Sequence, residues 1–191
     1  MAIGKDPIAS SLKNNILQSF SDATAGRSIQ TFYAMAATDS TGANYVLGRD
    51  AGNSDPAYNK TLGGFSIDAF AITINKPTIF AGICSIDFTT QVEGPGGQDA
   101  MTVVFTLEKE NAGGDTTIGT VTSRTHTGSV VSAVPQKVKF DITRVLFKVG
   151  EILKLKIDVT NTEGGRFNYL YYDPDTAGHE LILNIPVVNL E

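Results

Sequence analysis

The side chains best able to do chemistry in this 191-residue chain are few and scattered. There are two histidines, His126 in Ser123-Arg-Thr-His-Thr-Gly128 and His179 in Thr176-Ala-Gly-His-Glu180. A catalytic zinc needs several converging ligands, and His-x-x-His or His-Glu-x-x-His spacing puts two of them on one helix face. Neither spacing occurs, so both histidines read as exposed loop residues. A nucleophilic serine needs a base within reach, and its commonest sequence sign is Gly-x-Ser-x-Gly. Gly64-Phe-Ser66 and Gly128-Ser129 both lack the second glycine. The single cysteine, Cys84, lies in the apolar run Ile79-Phe-Ala-Gly-Ile-Cys-Ser-Ile-Asp-Phe88 and reads as a small buried hydrophobe. One cysteine also rules out an intrachain disulfide. Paired carboxylates for glycoside hydrolysis have no fixed spacing and stay open, but Asp87, Asp141 and Asp158 fall where strands would turn them to solvent. Two oxygen-rich clusters, Asp50 with Asn53 and Asp55, and Asp173 with Asp175 and Glu180, have the ligand type that calcium prefers. Both lack the Asp-x-Asp-x-Asp-Gly order and read as turn residues capping local backbone. No catalytic residue, metal ligand or cofactor site is assigned, and the chain is expected not to be an enzyme.

One cluster is dense enough to bind something. Phe167, Tyr169, Tyr171 and Tyr172 crowd six positions. Alternation puts Phe167, Tyr169 and Tyr171 on one face of a strand. That face is either core, since strands favour aromatics, or a stacking surface for a sugar or a protein.

The elements that would position these residues are strands. From Leu153 the chain alternates Leu153, Leu155, Ile157, Val159 against Lys154, Lys156, Asp158, Thr160, the period of a half-buried strand. Similar segments run over 65–75, 79–92, 101–107, 116–124, 134–142, 167–172 and 181–185, separated by turn clusters such as Gly94-Pro-Gly-Gly97 and Asn111-Ala-Gly-Gly-Asp115. The parity change near Ala69-Phe70 predicts a bulge. About eight strands with short connections predict an all-β fold, an antiparallel jelly-roll sandwich. The absence of tryptophan and of a cysteine pair speaks against an immunoglobulin-like sandwich. Pro186 is expected near a sheet edge.

The chain ahead of this domain differs. Asp6-Pro7 reads as a helix start, and Ile8, Leu12, Ile16 and Phe20 recur every four residues, so residues 1–26 are expected to form a short amphipathic helical arm. Its apolar stripe either packs on its own domain or docks on a neighbouring subunit, and Ile8, Leu12, Ile16 and Phe20 are the candidate partner-binding residues. Residues 27–64 read as an irregular connector, with a possible strand over 29–37 and a loop at Gly48-Arg-Asp-Ala-Gly-Asn-Ser-Asp-Pro56. Residues 65–191 form the β domain. A net charge of -5 makes a poor footprint for nucleic acid. No apolar stretch reaches the ~18 residues of a membrane span. With no long apolar leader at the start, the product is expected to be soluble and made in a reducing cytoplasm.

Three pieces of the C-terminal third carry a resemblance: Phe147-Lys-Val-Gly-Glu-Ile-Leu-Lys-Leu-Lys-Ile157, Tyr171-Tyr-Asp-Pro174 and Leu181-Ile-Leu-Asn-Ile-Pro-Val187. Together, over about residues 138–187, they resemble the jelly-roll auxiliary capsid proteins, called decoration or cement proteins, of tailed bacteriophages. Similar Gly-Glu-x-Leu strands occur in carbohydrate-binding jelly rolls. The phage resemblance implies a structural virion protein made in the host cytoplasm and placed on the capsid exterior. It implies an oligomer, often a trimer, bound to the major capsid protein and reinforcing contacts between capsomers. The alternative is a carbohydrate-binding or receptor-binding β-sandwich module using the tyrosines and a calcium loop.

Overall fold

The computed structural model describes residues 27–39, 42–52, 54, 56–93, 100–127, 133–161 and 167–188. The expected helical arm, with Ile8, Leu12, Ile16 and Phe20, lies outside these residues. Twelve strands and no helix make up the described chain. They are β1 (Arg27–Asp39), β2 (Gly42–Gly48), β3 (Tyr58–Leu62), β4 (Phe65–Thr73), β5 (Thr78–Glu93), β6 (Ala100–Asn111), β7 (Gly114–Thr122), β8 (His126–Thr127), β9 (Val134–Phe147), β10 (Ile152–Asn161), β11 (Phe167–Tyr171) and β12 (Ile182–Val188).

All twelve join one sheet in the order β3-β11-β5-β12-β1-β2-β4-β10-β6-β7, with β9 also on β5 and β8 on β6. Every ladder is antiparallel except a single parallel bridge, Val46 to Ala71, between β2 and β4. β5 organises one half. It pairs with β9 along nearly its whole length, and on its other side with β12 and then β11. The sheet curls until β7 lies against β9. A Cβ built on Gly119 would stand 2.8 Å from Phe140 Cε2 and 2.9 Å from Ile142 Cγ2, so glycine is what permits that approach. The interior is filled from both halves. Phe88 of β5 meets Phe105 of β6 edge-on at 4.7 Å between ring centroids, although their strands are far apart in the sheet order. Phe70 of β4 meets Tyr172, just past β11, at 5.3 Å. Each such ring contributes about 1.5–3 kcal/mol by leaving water.

Eight of these strands stand where alternation put them. The count is nevertheless twelve rather than about eight, and the sheet is mixed rather than purely antiparallel. The region expected to be an irregular connector, 27–64, holds the strand expected over 29–37, which is β1, and also β2 and β3. β2 is bracketed by glycines and β3 reads Tyr-Asn-Lys-Thr-Leu, so neither shows an apolar period. The bulge expected at Ala69-Phe70 is present: Leu155 pairs with Phe70 and Ile157 with Ile67, so Asp68 and Ala69 together oppose Lys156. Pro186 is not near an edge. It sits in β12, between β1 and β5. The β12–β5 ladder lapses between Asn184 and Val187, which removes the need for the amide hydrogen that proline lacks.

Candidate interaction face on β3, β11 and β5

A turn follows β11. After Tyr172, the Asp173 carboxylate accepts hydrogen bonds from Thr176 Oγ1 (2.7 Å) and the Asp175 amide (3.3 Å). The amide of His179 bonds to the Thr176 carbonyl, and the Asp173 amide to the His179 carbonyl. This turn folds His179 back onto Tyr171, with the rings stacked at 4.1 Å and 24°.

Within β11 the two faces separate cleanly. Leu170 points into the core and Asn168 is fully buried, its side-chain amide donating to the Gly63 carbonyl at 2.7 Å. Phe167, Tyr169 and Tyr171 alternate with them onto the outer face. Register lays three rows across that face: Tyr58, Tyr171 and Thr89; then Lys60, Tyr169 and Gln91; then Leu62, Phe167 and Glu93. Tyr169 and Tyr171 lie nearly parallel, 6.1 Å apart and 11° between planes. Tyr58 covers both, 5.5 Å from each. The Lys60 ammonium stands 4.4 Å from the Phe167 ring centre and 4.8 Å from that of Tyr169, and pairs with Glu93 at 3.3 Å. The Tyr169 hydroxyl donates to the Glu93 carboxylate, and the Tyr171 hydroxyl to Gln91 Oε1. The bond from Tyr169, and then that from Lys60, hold the Glu93 carboxyl below its ordinary range. Burial pushes both phenols up, so they stay protonated donors.

The outcome is a layered surface. Tyr169 and Tyr171 are only 6% and 7% exposed although they face outward, because Tyr58, Lys60 and His179 cover them. Leu62 (57% exposed), Phe167 and Tyr58 form the outermost layer. β3 is the last strand of the sheet order, so this layer borders an edge. Phe167, Tyr169 and Tyr171 are thus not core, whereas Tyr172 is. Lys60, Leu62, Gln91 and Glu93 had no signal of their own in the sequence. Only the register of β3 and β5 against β11 brings them in.

The other candidate residues do not converge on this face. Cys84 is buried in the core, and burial pushes its thiol up to about 12. His126 is half-buried in β8 rather than exposed in a loop, with Nδ1 3.1 Å from Thr90 Oγ1. That hydroxyl also accepts from Gln136 Nε2 at 2.8 Å and is fully buried, so no substrate reaches it. Asp87 pairs with Lys137 at 2.9 Å, Asp158 accepts from Ser66, and Asp141 is exposed. Asp173 and Glu180 spend their carboxylates on turn amides. Asn53 and Asp55 lie outside the described residues. Among the described residues no three His, Cys, Asp or Glu side chains gather as a metal site.

No protein family matches the chain, and no curated protein matches it in sequence. Solved structures do resemble it. A CocE/NonD family hydrolase from Staphylococcus aureus superimposes with a TM-score of 0.59 at 13% identity, over 85% of this chain and 37% of that one. An alpha-amino acid ester hydrolase gives 0.58 at 10% identity, over 83% and 36%. An aminopeptidase from a Thaumarchaeota archaeon gives 0.57 at 9% identity, over 86% and 37%. The chain therefore spans little more than a third of each of these proteins. At such identities the likeness concerns the fold alone.

Proposed function

We propose that this chain is an auxiliary structural protein of a tailed-phage virion, a jelly-roll sandwich that binds the capsid exterior and reinforces contacts between capsomers. The observation that carries this reading is the outer face of β3, β11 and β5. Leu62, Phe167 and Tyr58 are exposed there on a bed of packed tyrosines. Aromatic and apolar side chains held rigidly at a surface are what protein interfaces use for their central contacts. The likeness of residues 138–187 to decoration proteins supplies the partner, the major capsid protein. A homo-oligomer, as in those proteins, would present several such faces to neighbouring capsomers. The residues of the N-terminal segment, Ile8, Leu12, Ile16 and Phe20, are a second contact in the assembly. Function here is burial of surface, on the order of 1,600 Å² for a stable contact, with no bond made or broken.

A glycan-binding module is favoured by the same tyrosines. It is the weaker reading, because a sugar stacks on an open ring face and those of Tyr169 and Tyr171 are covered. The test is pelleting of the purified protein with shells assembled from the major capsid protein of the same genome. Leu62→Asp and Phe167→Asp are each expected to weaken shell binding tenfold or more while leaving the melting temperature nearly unchanged. Unchanged binding by both variants, or calcium-dependent retention on a glycan array instead, would refute the proposal.

A further inference from the structure

β3 ends the sheet order, and among the described residues only β11 pairs with it. The direction of its main-chain groups follows from one bond. The Tyr172 amide donates to the Ala57 carbonyl at 3.0 Å, which continues the register that sets Tyr171 opposite Tyr58. Hydrogen-bonded and non-hydrogen-bonded pairs alternate along an antiparallel ladder. Ala57, Asn59 and Thr61 therefore turn their amides and carbonyls toward β11, and Tyr58, Lys60 and Leu62 turn theirs to the open side. The Gly63 carbonyl, next in the inward set, accepts from the Asn168 side chain at 2.7 Å, as that parity requires.

An open row of main-chain groups templates another strand unless something guards it, and the usual guards are a proline, a bulge or a lysine held over the edge. β3 has no proline, and its register with β11 is unbroken from Tyr58 to Leu62. Its one lysine is drawn off the edge. The Lys60 ammonium sits over the Phe167 and Tyr169 rings of β11, at 4.4 and 4.8 Å, and pairs at 3.3 Å with Glu93 of β5, the strand beyond. Tyr58 and Leu62 flank it on the same face, and both are exposed. We propose that this edge is the seat of β3 from a second copy of this chain, the two strands running antiparallel about a two-fold axis at Lys60. The segment is its own complement. Such an axis sets Tyr58 of each copy against Leu62 of the other, an aromatic side chain beside an aliphatic one, and cross-strand neighbours of that kind stabilise a sheet. Tyr58, Lys60 and Leu62 then all exchange main-chain bonds across the axis. An axis at Asn59 would leave Leu62 opposite Pro56, which has no amide to give. The two Lys60 ammonium groups lie over their own copy's β11, each beside its own Glu93, so they do not face each other bare. The contact is isologous. It uses the edge and leaves the outer face of β3, β11 and β5 open, so it does not rest on the reading of the chain as a virion protein.

Two measurements on the full chain test it. The Cα atoms of a hydrogen-bonded antiparallel pair lie about 5.5 Å apart, within the span of a disulfide. Lys60→Cys is therefore expected to oxidise to a two-chain species. Leu62→Cys is expected not to, because its counterpart would stand ~14 Å away along the paired strands. Cys84 is fully buried and does not compete. In sedimentation equilibrium the parent is expected at two-chain mass. Lys60→Pro removes the central outward amide, which does not serve β11, and is expected to keep the parent's circular dichroism while weakening self-association by roughly tenfold or more. Lys60→Ala loses the same side chain but keeps the amide, and is expected to associate like the parent. A one-chain parent, an equal loss in Lys60→Ala, an unchanged mass in Lys60→Pro, or a disulfide at Leu62→Cys but not at Lys60→Cys would each overturn the proposal. The two cysteine variants decide alone if Lys60→Pro loses its fold.

Discussion

His126 is the residue through which mild acid should act on this fold. Burial lowers its pKa from the ordinary 6.5, so the folded protein holds the imidazole neutral while the unfolded chain protonates it first. Its contribution is intact above pH 6.5 and is lost as the pH falls through the depressed folded value. Urea midpoints measured between pH 5 and 8 are expected to drop on the acid side, and His126→Gln is expected to flatten that drop. Gly64 offers a steric counterpart. A Cβ there would stand 2.6 Å from the carbonyl oxygen of Val159, a backbone atom that is paired in register with Phe65 and has little room to move. Gly64→Ala is expected to cost about 1–3 kcal/mol by overpacking, read from the shift in denaturation midpoint at unchanged slope. On the aromatic face, Tyr169→Phe removes the donor to Glu93 but keeps the ring. A lower denaturation midpoint than that of the parent protein is expected, because the Glu93 carboxylate loses that donor.

Among the elements, legibility in the sequence followed burial. β10 alternates without interruption because its odd positions, Leu153 to Val159, are buried while its even positions carry the ionic layer. β6 behaves alike, and Phe105→Ala in it is expected to cost about 3–5 kcal/mol by opening a cavity beside Phe88, measurable by chemical denaturation. β3 was not legible because it is an edge strand with four of its five residues exposed, so nothing in its own composition marks it. β11 shows a subtler failure. Its alternation was readable, but which face turned inward was not. Asn168 took an inward position that apolar residues would normally hold, satisfied by the Gly63 carbonyl, and the tyrosines went outward under cover of Tyr58 and His179. The candidate site depends on long-range pairing, Tyr58 with Tyr171 and Glu93 with Phe167, which no local pattern encodes.

At the scale of the whole molecule, the outer face over β10, β6 and β7 is ionic, whereas the outer face over β3, β11 and β5 exposes the Leu62–Phe167–Tyr58 layer. On the proposed reading that layer is the contact with the partner, and its exposed apolar side chains are what such a contact would cover. The most direct measurement is a cryo-EM map of the particle assembled with this protein, at a resolution that separates strands. Density for the curled sheet is expected on the outside of the shell, with β3, β11 and β5 turned toward the capsid protein at the junction of capsomers. A map showing that face turned to solvent, or showing the protein inside the shell or absent from it, would contradict the account.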